Sequence, residues 1–256
     1  MNALILAGKK DIGNLESNTK LTNKALLMLN ETPMIEYVVN ALRDSELVDD
    51  IVVVGPEEDL APILENKVKK ILNSADSIVE NVKIGLDYFP GDCKILVLTS
   101  DIPLLTGEII DHFIKKCDQY NALFYYPIIL KETIVKKYPE TARSYIYLKE
   151  GIFCGGNMVI VAKPIFDRNK QLLDELYQNR KDVKKYVSIL GVKFLMKYLL
   201  KTLTIKEIEE KAAEIVGYPV KSVLIEDPEV MIDLDKLSDY ELIVQVMNQN
   251  DPTVLS

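Results

Sequence analysis

Short, unbroken apolar runs alternate with helix-period segments through the first half of the chain, and this rhythm limits the folds it can reach. Residues 2–6 form one such run, closed by Ala7-Gly8. Residues 51–54 form a second, closed by Gly55-Pro56, and residues 95–98 a third, running into Thr99-Ser100-Asp101-Ile102-Pro103. Runs this short, bounded by turn residues, read as strands buried on both faces, as in a parallel sheet. Between the first two, Met34, Ile35, Val38, Val39 and Leu42 recur on one helix face. Thr32-Pro33 ahead of them reads as an N-cap followed by a first-turn proline. Helices over residues 57–65 and 77–86, a weaker strand over 69–72, a helix capped by Thr106 and a strand over 122–126 continue the alternation. The order predicts an α/β fold with a doubly wound, mostly parallel sheet.

After about residue 131 the pattern changes. Residues 143–148 read as extended, Gly151 to Asn157 as a glycine-rich turn, and 158–161 as a strand. Residues 164–216 are helical in pattern, followed by two short closing strands over 220–225 and 230–234. Ser238-Asp239-Tyr240-Glu241 reads as a capping box opening the last helix. We expect one domain over residues 1–256, with residues 165–216 as a helical insertion before the closing strands.

Composition narrows the function. The net charge of −8 speaks against a nucleic-acid partner, which needs a basic face. The three cysteines form no C-x-x-C pair, so reduced thiols and a cytoplasmic location are expected. A single histidine, His112, leaves little material for a His-based metal site or triad. No signal peptide or transmembrane segment is expected: the apolar start stops at Gly8-Lys9-Lys10, and residues 187–200 are broken by Lys193 and Lys197.

Ligands of open α/β sheets bind at the carboxyl ends of the strands, where two features fall. Residues 9–24 carry four lysines against Asp11 and Glu16 in an otherwise acidic chain. Glycine and lysine there suit an anion, although a solvated loop accounts for the same residues. Asp101, just past an apolar strand, suits a hard cation such as Mg²⁺ or, equally, a turn before Pro103. His112 reads as a helix-edge residue, Cys154 as a buried small hydrophobe, and Tyr125, Tyr126, Tyr145 and Tyr147 as packing. The apolar and lysine-rich 187–203 stretch reads as a packed helix, with a lid or a surface for a lipid-like acceptor as the sharper alternative.

Taken in order, Asn2 to Gly8, Asn23-Lys24-Ala25-Leu26, Thr32 to Tyr37, Leu98 to Pro103, Gly155-Gly156-Asn157 and Met231 to Tyr240 resemble the motifs of MobA-like nucleotidyltransferases. This is the family of molybdenum-cofactor guanylyltransferases and sugar-1-phosphate nucleotidyltransferases. The resemblance implies a nucleotide-diphospho-sugar transferase-like fold of GT-A type. It also implies a Mg²⁺-dependent enzyme that moves a nucleoside monophosphate from an NTP to a phosphorylated small-molecule acceptor, releasing pyrophosphate. Leu6, Ala7, Gly8, Lys9 and Lys10 would wrap the triphosphate and Ser77 would contact the base. Lys24 would contact phosphate, Asp101 and Asp235 would hold the metal with Asp233 as runner-up, and Asn157 would face the acceptor. A homo-oligomer is left open.

The chain departs from the family pattern in three places. Lys9 stands where a second glycine is usual, Asn23 where proline is frequent, and no arginine precedes Arg43. Lysine is a point charge without arginine's bidentate fork, which motivates a second reading, a catalytically weak nucleotide-binding module. A third, a sugar-nucleotide-dependent glycosyltransferase, expects a D-x-D motif where this chain has Asp101-Ile102-Pro103. Pyrophosphate release separates the first reading from the other two.

Overall fold

The structure is a computed structural model that describes residues 1–8, 23–178 and 189–250. Lys9, Lys10 and Lys20 lie outside the described residues. The sheet runs β5 (Lys70–Leu72), β4 (Ile51–Val54), β1 (Ala3–Leu6), β6 (Lys94–Thr99), β10 (Met158–Ala162), β7 (Phe124–Leu130), β9 (Gly151–Gly155) and β8 (Ile146–Leu148), with β11 (Val220–Leu224) on the other edge of β7. Seven of these nine strands point the same way, and only β9 and β10 oppose them. That is the expected doubly wound, mostly parallel sheet. The chain steps outward from β1 to β4 and β5, then returns to the opposite side of β1 as β6, so the winding reverses between β1 and β6. A crevice opens at the carboxyl ends of strands at such a point.

Period-two side-chain alternation divides the core into two layers. Ala3, Ile5, Val53, Leu96 and Leu98 pack with Val38 and Leu42 of α1 (Met34–Asp44) and Phe113 of α4 (Gly107–Cys117). Leu4, Val52, Val54, Ile95 and Val97 pack on the other face with Val82 and Leu86 of α3 (Ile78–Tyr88) and Ile165 of α6 (Lys163–Gln178). Helix α2 (Glu57–Leu64) joins β4 to β5, and α5 (Lys131–Lys137) follows β7.

Strands β9 and β10 are one strand with a break. Four residues of β7, from Ile128 back to Tyr125, are matched by six from Gly155 to Ile160. The two extra residues centre on Gly156-Asn157, where the Gly156 amide donates to the Pro127 carbonyl and the Asn157 amide to the Val230 carbonyl. A side chain on Gly156 would meet Val230 Cγ1 at 2.5 Å, so glycine lets the closing segment approach.

Three local expectations are corrected. Thr32-Pro33 does not open α1 as a cap. It forms β3 and pairs with β2 (Met28–Leu29) across Asn30 and Glu31, both at positive φ, and Pro33 itself is the N-cap. This is the hairpin-turn conformation that Asn-Gly usually supplies. Residues 230–234 are not a strand: Pro228–Met231 is a 3₁₀ turn, and the Leu234 amide donates to the Asp101 carbonyl. The last helix, α9 (Leu237–Asn250), starts one residue ahead of Ser238. Its start is held by Asp239, whose Oδ2 accepts the Asp235 and Lys236 amides at 3.1 Å each. The region after α6 includes α7 (Val192–Leu199) and α8 (Ile205–Val216). Among the described residues, no helix is long and apolar enough to cross a membrane.

Candidate active site

The β1–β6 crevice contains a cleft of about 350 Å³ whose walls include Leu6 and Gly8 at the end of β1, Ser74 after β5, Asn81 of α3, and Thr99 and Asp101 at the end of β6. Gly8 is held tightly: a Cβ there would lie 2.9 Å from Ser74 Cβ and 3.0 Å from Asn81 Nδ2. Asn81 is buried and accepts the Ala75 amide at 2.6 Å, fixing the wall opposite Gly8.

Lys24 reaches this cleft from a one-turn 3₁₀ helix, Lys24–Leu26. Asn23 builds that turn. Its Oδ1 accepts the Ala25 amide at 2.9 Å, and its Nδ2 donates to the Ala7 carbonyl at 2.7 Å. Asn23 therefore ties the start of this turn to the end of β1. Lys24 Nζ donates to Asp101 Oδ2 at 2.5 Å and to Asp235 Oδ1 at 2.7 Å, with its side chain 4% exposed. Burial pulls the pKa of this ammonium down, but the Asp101 and Asp235 charges and hydrogen bonds outweigh it, and the net shift is upward.

The acids converge from distant parts of the chain. Asp101 is carried past β6, while Asp233 and Asp235 lie on the extended closing segment. Ile232 and Leu234 of that segment pack with Leu29, Met34 and Ile243, so alternation turns both aspartates the other way. Carboxylate oxygens of Asp101, Asp233 and Asp235 lie within 4.8 Å of one another. Asp101 Oδ1 is buried and has no hydrogen-bond partner. An all-oxygen donor set with one orphaned buried carboxylate oxygen fits a hard divalent cation.

Arg143, which composition and motif gave no reason to single out, completes the cluster. Nη1 donates to Asp233 Oδ1 at 2.7 Å, and Nη2 to the Asp233 carbonyl at 3.3 Å and to Asp239 Oδ1 at 3.2 Å. Burial and the Asp101 and Asp235 charges push the Asp233 carboxyl up to about 6, against the pull of the Arg143 guanidinium.

A family model, the MobA-like NTP transferase domain, matches residues 3–188. The chain belongs to this family. Among its relatives, the 2-C-methyl-D-erythritol 4-phosphate cytidylyltransferase of Clostridium botulinum (strain Eklund 17B / Type B) is 30% identical over 131 residues, 48% of this chain and 56% of that protein. The enzyme of the same name from Caldicellulosiruptor bescii is 30% identical over 45% of this chain and 53% of its own length. The chain thus spans about half the length of these curated relatives. A structure described as a hypothetical transferase from Thermus thermophilus is 31% identical, with a TM-score of 0.83 over 93% of this chain and 98% of that one. A CMP:2-keto-3-deoxy-manno-octonic acid synthetase complexed with CTP matches at 11% identity and a TM-score of 0.64, over 98% and 99% of the two chains. That likeness shows the fold alone.

Within this MobA-like chain, the residues singled out by sequence separate into groups. Leu6, Gly8, Lys24 and Asp101 line the cleft, with Asp235 bound to Lys24. Ala7 is buried and serves through its backbone, its carbonyl holding Asn23 and its amide bonded to the Val54 carbonyl. The Ser77 hydroxyl donates to Asp174 of α6 at 3.3 Å, while Ser74, Ala75, Asp76 and Ile78 form the wall beside it. Asn157 sits at the strand break, where its carbonyl accepts the Thr99 amide at 3.1 Å, next to the cleft rather than in its lining. Thr99 and Asn81 were missed by sequence. Thr99 was legible as the end of the β6 run, whereas Asn81 is one polar residue inside a helix and carries no local signal.

Proposed function

We propose that this chain is a Mg²⁺-dependent nucleotidyltransferase that moves a nucleoside monophosphate from an NTP to a phosphorylated small-molecule acceptor, with release of pyrophosphate. The carrying observation is the meeting of Lys24, Asp101 and Asp235 at one wall of the Gly8 cleft. The names of the curated relatives make CTP the first nucleotide to test. In this reading the base lies against the Ser74–Ile78 wall, the triphosphate toward Gly8 and Lys24, and the acceptor toward Asn157. The whole chain acts as one unit, with residues 165–216 inserted ahead of the closing segment.

An acceptor phosphate is ionised near neutral pH, so its oxygen can attack the α-phosphorus in line without a strong general base. This matches a cleft with no histidine among its described lining residues. The protein's task is then positioning and charge. Gly8 allows close approach of the backbone to the phosphates, and Lys24 offsets the negative charge on them. Mg²⁺ held by Asp101 and Asp235 would supply further positive charge to the triphosphate. Arg143 keeps Asp233 and the closing segment in register through its bonds to Asp233 and Asp239.

The test is pyrophosphate release with CTP, ATP, GTP and UTP, each with Mg²⁺, against a panel of sugar and polyol phosphates that includes 2-C-methyl-D-erythritol 4-phosphate. Acceptor-dependent release with one nucleotide is expected, falling by roughly 10²–10³-fold in Asp101→Ala, with the circular dichroism of the folded protein retained. Unaltered turnover in that variant would sink the assignment.

A further inference from the structure

Lys24 occupies both carboxylates that the proposed function gives to the cation. Its Nζ lies 2.5 Å from Asp101 Oδ2 and 2.7 Å from Asp235 Oδ1, and its side chain is 4% exposed. A divalent ion drawing on those oxygens would have to share them with the ammonium, and one bound through the unpartnered Asp101 Oδ1 would still lie close to it. Two cations a few ångströms apart repel, and most strongly on the enclosed Asp101 side of the site, so one must yield. The backbones of Asp101 and Asp235 are held by Leu234 and Asp239, whereas the long Lys24 side chain borders the cleft and has room there to swing aside.

We infer that Lys24 is a resident cation that holds the metal position in the nucleotide-free protein and is displaced when the divalent ion arrives. This inference rests on the nucleotidyltransferase reading above. It implies an order of events. The bare protein is a poor ligand for a divalent ion because binding must break two charge-assisted hydrogen bonds. The ion enters favourably only with a triphosphate, whose negative charge gives the released ammonium a new partner. One side chain would thereby couple metal loading to nucleotide loading and keep the acids satisfied between turnovers.

The experiment is Mn²⁺ binding to the full chain without nucleotide, read from the electron paramagnetic resonance signal of free Mn²⁺. The proteins are wild type, Lys24→Met, Lys24→Arg and Asp101→Asn. Lys24→Met is expected to bind Mn²⁺ at least tenfold more tightly than wild type, and Lys24→Arg to remain as weak as wild type. Equal or weaker binding by Lys24→Met, with binding lost in Asp101→Asn, would overturn the exchange and leave the cation site standing. Mn²⁺ binding that Asp101→Asn does not alter in any background would remove the cation site itself, and the functional reading with it. A second measurement needs no variant. Amine acylation followed by mass spectrometry should find Lys24 protected in wild type alone and labelled at saturating Mn²⁺. Labelling that does not change once Mn²⁺ is bound overturns the inference.

Discussion

Single side chains hold this site in register, and the penalties for removing them differ. Gly8 has no room for a methyl group against Ser74 and Asn81. Gly8→Ala is expected to cost about 1–3 kcal/mol through overpacking and to weaken nucleotide binding, which denaturant melts and a binding titration would each report. Arg143 is 8% exposed and pairs with Asp233 and Asp239, the latter 3% exposed. Arg143→Met strands two enclosed carboxylates and should cost roughly 3–5 kcal/mol in urea unfolding; a loss under 1 kcal/mol would deny Arg143 its anchoring role. Lys24, Asp101 and Asp235 were legible because each sits in a motif beside a predicted strand or helix. Arg143 was not, because its importance comes from partners 90 and 96 positions away. Asn23 was legible only as an exception to the family pattern, and its two hydrogen bonds give that exception a physical basis.

At the scale of elements, hydrogen bonds at helix ends and between connections carry testable weight. Helix α8 begins with a complete capping box, in which Thr204 Oγ1 accepts the Glu207 amide at 3.2 Å and Glu207 Oε2 accepts the Thr204 amide at 3.1 Å. Thr204→Ala should lower stability by about 0.5–2 kcal/mol, seen as a shifted urea midpoint with an unchanged slope. Asp111 of α4 grips the connection after α1, accepting from the Ser45 hydroxyl at 2.5 Å and from the Glu46 and Leu47 amides. Burial raises the Asp111 pKa, but these bonds and the Lys115 charge more than offset it, and the net shift is downward. Its contribution is therefore fully present above the unfolded value of about 3.9 and fades as pH falls through the folded value. Asp111→Asn should be less stable than wild type at pH 7, and the gap should shrink as pH falls below the unfolded value. Strands and helices with clear periodicity were readable at this scale. The β2–β3 hairpin was not, since Asn30-Glu31 is an uncommon pair for positive φ. The 230–234 segment read as a strand because it is a short, mostly apolar run, yet its amide bonds run to loops instead of a neighbouring strand.

For the whole molecule, the alternation of apolar runs and helix faces was enough to foresee a doubly wound sheet, and the reversal between β1 and β6 then dictates where a crevice opens. The order of strands beyond β6 was not readable, because the return of β10 and β9 against the others depends on pairings made long after the chain has turned. One consequence follows from the reach of Lys24 to Asp235, 211 positions away. A chain emerging from the ribosome in sequence order can assemble β1, β4, β5 and β6 early, but Lys24 gains its second carboxylate partner only once residue 235 has been made. Molecules that stop short of residue 235 therefore keep Lys24 and Asp101 but lack Asp235, and the complete Lys24–Asp101–Asp235 cluster marks a chain folded through that point.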